Sequence, residues 1–450
     1  MIEFLVAAPS SGAGKTTMVC ALLAALQAQG ENPCAFKCGP DYIDPMFHRA
    51  VLGVDSYNLD LFFSTPDTVR RQFARHSHGH SAAVCEGAMG YYDGLGGTTT
   101  EASVWAMADA LDLPVLLVLR PKGTSLTLAA QVQGLLHFRT PSHIAGILLN
   151  DCTPSLYDLL APMLERETGL PVLGYLPHLP EAELPSRHLG LYTAMELADL
   201  NEKIRRLQTV ALERIQWARL RAVCEGVVRP TETLQLPTPR AKIAVARDEA
   251  FCFTYAETLE ALAQVGAELT FFSPIHDRCL PESAQGLYLP GGYPELHAKA
   301  LARNESMRHA IRKAVSSGLP TVAECGGFLY LGQALQDADG VSNPMVGVLP
   351  GNGFRVGRLV RFGYARLCAP ADSLLFRAGE QLPVHEFHHW DSTENGTALT
   401  AVKPTTGRQW QCGFTSPTLY AGFPHLYWAG TPMAGRFVDA AERYGKEHPI

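Results

Sequence analysis

Residues Ala8-Pro9-Ser10-Ser11-Gly12-Ala13-Gly14-Lys15-Thr16-Thr17 stand between a short apolar run, Phe4 to Ala7, and a stretch in which Val19, Leu22, Leu23 and Leu26 recur at helical spacing. A strand that runs through a glycine-rich turn straight into a helix leaves few folds open. It is the context of a phosphate-binding loop on a parallel α/β sheet. In such a loop the glycines let backbone N–H groups turn toward phosphate oxygens, and the helix N-terminus adds partial positive charge. Ser11, Gly12, Gly14, Lys15, Thr16 and Thr17 are therefore the expected nucleotide contacts, with Lys15 as a point charge and the Thr16 hydroxyl as a magnesium ligand. Pro9 departs from the usual pattern, which begins with glycine. A turn that merely caps a helix is the plain alternative; the strand, the Lys-Thr pair and the helix together argue against it.

The rest of the chain follows the same α/β rhythm of short apolar runs and amphipathic stretches. Strands are expected at Phe4–Ala7, Ala82–Cys85, Val115–Leu119 and Ile144–Leu149, and again at Ile243–Ala246, Leu269–Phe272, Gly286–Leu289 and Thr321–Ala323. Between the two series, residues 194–224 read as a charged helix, and Val228–Arg240, with three prolines, reads as a linker. The expected division is a synthetase domain over 1–195, helix and linker over 196–240, and a second domain over 241–450.

Charge narrows the partners. Lys plus Arg number 37 and Asp plus Glu 44, a net −7 that offers no basic excess to a nucleic acid. The longest strictly apolar run, Met18 to Leu26, is too short to span a membrane. No basic flank precedes the apolar start of the chain, so a cytoplasmic enzyme is expected. No two of the 11 cysteines share the two-residue gap of zinc and redox motifs, which predicts free thiols.

Three segments supply acids. Glu86 ends the apolar run Ala82–Cys85, at the strand end that faces ligands in open α/β sheets, and is a candidate magnesium ligand. Asp93 follows on the glycine-bearing stretch Met89-Gly90-Tyr91-Tyr92-Asp93-Gly94. In Lys37-Cys38-Gly39-Pro40-Asp41-Tyr42-Ile43-Asp44-Pro45 two acids stand between prolines. Asp41 and Asp44 suit metal binding or the orientation of an anionic substrate; a rigid turn accounts for the same residues, and the segment leaves both readings open.

In the second half, Thr321-Val322-Ala323-Glu324-Cys325-Gly326-Gly327 runs into a helix-like stretch, Phe328 to Leu335. A strand, a sharp turn carrying cysteine and then a helix is the geometry of a nucleophile elbow. The helix N-terminus is expected to lower the Cys325 thiol pKa, with the Gly326 amide facing an oxyanion. Gly291 and Gly292, after the strand Gly286–Leu289, offer further amides, and a plain turn is equally compatible with them. For the base, spacing does not separate His425 from His385 and His388.

Taken in order, these segments resemble the glutamine-dependent a,c-diamide synthases of corrin biosynthesis almost end to end. The likeness rests on Ser10–Thr16, Lys37–Pro45, Glu86–Gly94, Arg187-His188-Leu189-Gly190-Leu191, Leu289–His297, Glu324–Phe328 and His385–His388. It implies a dethiobiotin synthetase-like ATP-dependent domain, then a class I glutamine amidotransferase-like α/β domain, acting with ATP and Mg²⁺ on the c and a carboxylates of a corrinoid. By the same resemblance Lys15, Thr16 and Glu86 hold nucleotide and magnesium, and Asp41, Tyr42, Asp44 and Asp93 serve substrate binding and catalysis. Cys325 is the glutaminase nucleophile and His425 its base. Tyr427 stands where many class I amidotransferases have a glutamate, which implies a Cys-His dyad without a third member. The same parts would suit another tetrapyrrole such as nickel-sirohydrochlorin. From a different class, a nucleotide-switch protein with an inactive amidotransferase domain would share the first half; Cys325 after its apolar strand argues against it. A homodimer is the expectation from the commonest symmetry.

Overall fold

Alternate residues of a strand face opposite ways. In β1 (Ile2–Ala7), Ile2, Phe4 and Val6 belong to one buried core and Leu5 and Ala7 to another, so this strand is covered on both faces, as a parallel sheet requires. The computed structural model describes residues 1–448 apart from 183, 185–193, 228 and 232–235, together with the backbone but not the side chains of 194–197. The chain forms two compact units, the first extending to residue 232 and the second beginning at residue 233.

After β1 the first unit continues through α1 (Lys15–Ala28), β2 (Pro33–Cys38), α2 (Ile43–Phe47), β3 (Ser56–Leu59), α3 (Pro66–Ser77), β4 (Ala82–Glu86), α4 (Val104–Leu111), β5 (Val115–Leu119), α5 (Leu126–Phe138), β6 (Ile144–Asn150), α6 (Pro154–Thr168), β7 (Val172–Leu176), α7 (Ala194–Arg214) and α8 (Trp217–Val223). Its seven strands pair in parallel in the order β3-β2-β4-β1-β5-β6-β7. Every strand expected in this half is present, and β2, β3 and β7 were not anticipated. Register then decides chemistry: Val6 lies opposite Glu86, and Glu86 opposite Lys37, at the carboxyl edge where the phosphate loop leaves β1.

The expected single helix over 194–224 is broken. Ile215 bridges Gly174 and the Gln216 amide donates to Leu173 O at 2.8 Å, which stitches the chain to β7 between α7 and α8. Leu200, Ile204, Leu207 and Ala211 of α7 recur at helical spacing and enter the same core as Leu22 and Leu26 of α1. The Arg187-His188-Leu189-Gly190-Leu191 segment and part of the expected linker lie outside the described residues.

The second unit comprises β8 (Ala241–Ala246), α9 (Ala256–Gln264), β9 (Ala267–Phe272), β10 (Gly286–Leu289), α10 (Ala298–Arg303), α11 (Glu305–Ser316), β11 (Thr321–Glu324), α12 (Gly326–Leu331), β12 (Ala334–Gln336), β13 (Ser342–Pro344), β14 (Asn352–Cys368), β15 (Gln381–Ser392), β16 (Leu399–Val402), β17 (Gln409–Cys412), β18 (Phe414–Ser416), β19 (Leu419–Gly422), β20 (His425–Leu426) and α13 (Met433–Glu447). One sheet runs β18-β19-β11-β10-β8-β9, parallel except for β18 at its edge. A second, largely antiparallel sheet contains β13-β12-β14-β15-β20, with β16 and β17 attached. The four strands anticipated in this half lie in the first sheet; the second sheet was unforeseen because β14, mostly exposed or half-buried, lacks the clean alternation that marks a strand. The helix expected to reach Leu335 stops at Leu331, where Gly332 turns to φ −67° and ψ −177° and leads into β12.

Candidate functional site

The first unit gathers its chemistry where β1, β2 and β4 end. The backbone at Gly14 has φ +92°, and a Cβ there would stand 2.0 Å from Asn150 Nδ2, so only glycine fits. Asn150, at the end of β6, in turn donates to Ala13 O at 3.1 Å and tethers the loop. No acidic residue of α1 itself occupies its first turn, which leaves the positive end of its dipole open to acids from elsewhere in the fold. Lys15 Nζ donates to Met89 O at 2.6 Å and Ser10 O at 3.2 Å, across the loop opening. The stretch after β4 is strapped down: the Tyr91 amide donates to Ala8 O at 2.9 Å, and Asp93 accepts from the Gly90 amide at 3.1 Å.

Thr16 Oγ1 donates to Glu86 Oε1 at 2.6 Å, and Lys37 Nζ reaches the same oxygen at 2.8 Å and Asp44 Oδ2 at 2.5 Å. Lys37, Asp44 and Glu86 are all buried. Burial works to lower the Lys37 pKa, but the Glu86 and Asp44 carboxylates outweigh it and keep the ammonium protonated. Burial pushes the Glu86 carboxyl up to about 7 against the pull of Lys37. His48, held to about 4 by burial, lies 3.8 Å from Glu86 Oε2 and is neutral. Asp41 accepts from the Ile43 amide at 2.8 Å, which shapes the turn that delivers Asp44, and Tyr42 is buried beside it. A hydroxyl and two carboxylates are the hard oxygen donors magnesium takes, and Glu86 Oε2 has no hydrogen-bond partner among the described residues. Thr16, Glu86 and Asp44 thus fit such an ion. Among the described residues no three or more His, Cys, Asp or Glu form a metal cage on their own, and magnesium ordinarily completes its shell with water and phosphate.

In the second unit Cys325 sits between β11 and α12 with φ +47° and ψ −98°. A non-glycine residue held there costs about 1–3 kcal/mol, a strain typical of functional turns. Hydrogen bonds fix it: the Cys325 amide donates to Gly422 O at 2.8 Å and the Gly327 amide to Pro290 O at 3.0 Å. A Cβ on Gly326 would fall 3.0 Å from Gly292 N, and one on Gly292 would fall 2.1 Å from Ala250 O, so these backbones approach as only glycines allow. The expected lowering of the thiol pKa is reversed. Burial first, and then the charges of Glu295 and Glu386, push Cys325 well above the ordinary thiol range, and the short α12 does not overcome them. The resting group is a thiol and needs a base.

The structure separates the histidines. His388 stacks on Phe423 with ring centroids 3.8 Å apart, and both its nitrogens are engaged, Nδ1 by Trp390 O at 2.5 Å and Nε2 by Glu386 at 3.2 Å. His385 lies opposite His425 in the β15–β20 pair. His425 abuts the Gly291 backbone, where an added Cβ would meet its Cε1 at 2.5 Å. Burial holds His425 to about 3, so it rests as a neutral imidazole. Its Nδ1 lies 3.8 Å from Glu324 Oε2, and burial pushes the Glu324 carboxyl up to about 8.

Residues 4–191 match the CobQ/CobB/MinD/ParA nucleotide binding domain, and residues 242–432 the CobB/CobQ-like glutamine amidotransferase domain. The chain is 37% identical to the cobyrinate a,c-diamide synthase of Clostridium acetobutylicum over 436 residues, covering 96% of this chain and 98% of that one. It is also 37% identical to the synthase of the same name from Salmonella typhimurium over 451 residues, 98% of each chain. The chain belongs to the cobyrinate a,c-diamide synthase family. It is thus a ligase that forms C–N bonds with glutamine as nitrogen donor, joining a nucleotide-binding domain to an amidotransferase domain.

In this diamide synthase Thr16 and Asp44 both meet the Lys37–Glu86 pair, Thr16 through Glu86 and Asp44 through Lys37, with Asp41 shaping the turn that carries Asp44. Asp93 is bonded within its own loop, which meets the phosphate loop through Tyr91. Cys325, Gly326, Gly292, Gly291 and His425 adjoin one another in the second unit. Motif reading gave no role to Lys37, His48 or Glu324. Lys37 could have been found: it is the one cation on an apolar strand whose next turn carries both acids. No helix among the described residues is long and apolar enough to cross a membrane.

Proposed function

We propose that this protein uses ATP and glutamine to convert the a and c carboxylates of cobyrinate, or of hydrogenobyrinate, to amides. The observation that carries the reading is the near full-length likeness to synthases of that name, together with both reaction sites in one chain. Amide formation from a carboxylate stalls in water because the leaving group is oxide, and phosphorylation to an acyl phosphate removes that obstacle. Residues 1–195 serve this activation. The loop amides, Ser11 to Thr17, and Lys15 cradle the phosphates, and Lys37 neutralises the acids beside them. Thr16, Glu86 and Asp44 would hold magnesium, which when bound supplies positive charge against the phosphoryl group in transfer. Asp41, Tyr42 and Asp93 orient the carboxylate to be activated.

Residues 241–450 supply ammonia, with 196–240 between the two domains. His425 takes the Cys325 proton as sulfur attacks the glutamine amide carbon, and the amides of Gly291, Gly292 and Gly326 hold the oxyanion. The C–N bond breaks as the leaving nitrogen takes that proton; water then repeats the sequence to release glutamate. The test is a reaction of the purified chain with ATP, Mg²⁺ and glutamine, followed by product mass on cobyrinate, hydrogenobyrinate and nickel-sirohydrochlorin in parallel. Two successive exchanges of OH for NH₂ on a cobyrinate are expected. Glutamine hydrolysis with none of the three altered would overturn the substrate and leave the amidotransferase.

A further inference from the structure

A neutral imidazole carries one proton, and a base is useful only when the nitrogen facing its substrate is the bare one. Glu324, the residue immediately before Cys325, faces His425 with its Oε2 3.8 Å from Nδ1, outside direct hydrogen-bond distance, and both groups are buried. Glu324 is held in turn. Its Oε1 accepts from the Trp428 indole at 3.3 Å, and Tyr288 and the Leu426 backbone also bond to the carboxyl. The segment that carries His425 therefore also supplies two of the groups that aim Glu324. Sheet register accounts for the meeting, because Glu324 lies opposite Gly422 in the β11–β19 pair, and the chain turns back through Phe423 and Pro424 to deliver His425. Two other carboxylates act on Cys325, Glu295 and Glu386, and the second is already engaged by Arg361, His388 and Trp410.

We propose that Glu324 is the positioning residue of the glutaminase site: its negative charge, 3.8 Å from Nδ1, favours the His425 proton there, so that Nε2 takes the Cys325 thiol proton, and offsets the imidazolium that forms as the pair closes. This replaces the implied dyad with a three-membered relay whose third member comes from the strand before the nucleophile, not from position 427. The proposal rests on reading Cys325 as nucleophile and His425 as base. The working form has Glu324 ionised. Because burial sets that carboxyl at about 8, glutaminase kcat rises with pH through that region. The titratable groups facing Glu324 are His425 on β20, Tyr288 on β10, Tyr420 on β19 and Cys325 itself.

The experiment measures glutamate release by the full chain for wild type, Glu324→Gln, Glu324→Asp, His425→Ala and the Glu324→Gln/His425→Ala double variant. Ammonium-supported amidation, which bypasses this site, checks the fold. The expected result is a kcat lowered about tenfold or more in Glu324→Gln with the KM for glutamine nearly unchanged, and loss of the rising limb near pH 8. Glu324→Asp, which keeps the charge, recovers part of the rate. In the His425→Ala background Glu324→Gln slows Cys325 alkylation by iodoacetamide no further. Wild-type kcat and pH profile in Glu324→Gln, or an equal added loss in the His425→Ala background, overturns the assignment. If Glu324→Gln fails to fold, Glu324→Asp takes its place in both backgrounds: a lowered kcat that vanishes as a difference once His425 is alanine supports the relay, and an unchanged kcat or an equal added loss overturns it. Full glutaminase activity in both His425→Ala and Cys325→Ala would instead sink the underlying nucleophile-and-base reading.

Discussion

Between the Asp44 and Glu86 carboxylates, the Lys37 ammonium is the cation that lets two buried acids stand side by side. Replacing it by methionine leaves both uncompensated. Lys37→Met should lose about 3–5 kcal/mol of stability and most ATP-dependent amidation. A chemical denaturation midpoint and a turnover rate equal to wild type would show that the ion pair is dispensable. Histidine burial has a separate signature. Burial holds His48 to about 4 and His385 and His425 to about 3, whereas an unfolded histidine titrates near 6.5. A depressed folded pKa means that the unfolded chain binds the extra proton, so stability is intact above about 6.5 and is lost as pH falls toward the folded values. Each such residue costs up to about 1.4 kcal/mol per pH unit in that window. Urea midpoints recorded between neutral and acidic pH should therefore decline, less steeply in His385→Gln. A flat wild-type profile would contradict the burial argument.

Two strand–turn–helix elements carry the reactive groups, and each depends on a backbone that only a particular residue tolerates. At the first, Gly14→Ala must place a methyl group against Asn150 while holding φ at +92°. The expected outcome is a loss of nucleotide affinity of about tenfold or more, seen by calorimetric titration with ATP, with far-ultraviolet dichroism little changed. Undiminished binding would mean that the loop relaxes without cost. At the second element, the strained φ of Cys325 and the short α12 place the proposed nucleophile on a turn followed by two glycines. Both elements were legible because their signals are local: strand, turn residues and helix follow one another in the chain. The helix expected to continue to Leu335 failed for a reason outside that window. Ala334 and Leu335 are drawn into pairing with β14, and local propensity yields to the ladder.

For the molecule as a whole, division of labour between the two units has a direct consequence. Cys325→Ala should abolish glutamine-dependent product formation yet retain amidation when ammonium salt is supplied, because the phosphate loop and its acids lie in the first unit. Loss of both activities would argue that the nitrogen donor site and the synthetase site do not act separately. The local chemistry of this protein was determined by sequence alone: a phosphate loop, an acid-bearing turn, a cysteine elbow, and through their order the family. Each is encoded in a short window, where backbone conformation and side-chain type are set by near neighbours. Which distant groups meet was decided only by the tertiary structure. Lys37 reaches Glu86 across 49 residues because β2 and β4 align in register, and His385 comes to lie opposite His425 because β15 and β20 pair. The thiol pKa, expected to fall, rises because burial and the surrounding carboxylates outweigh a short helix N-terminus. Register, burial and charge contact are properties of the assembled sheets, and no local pattern contains them.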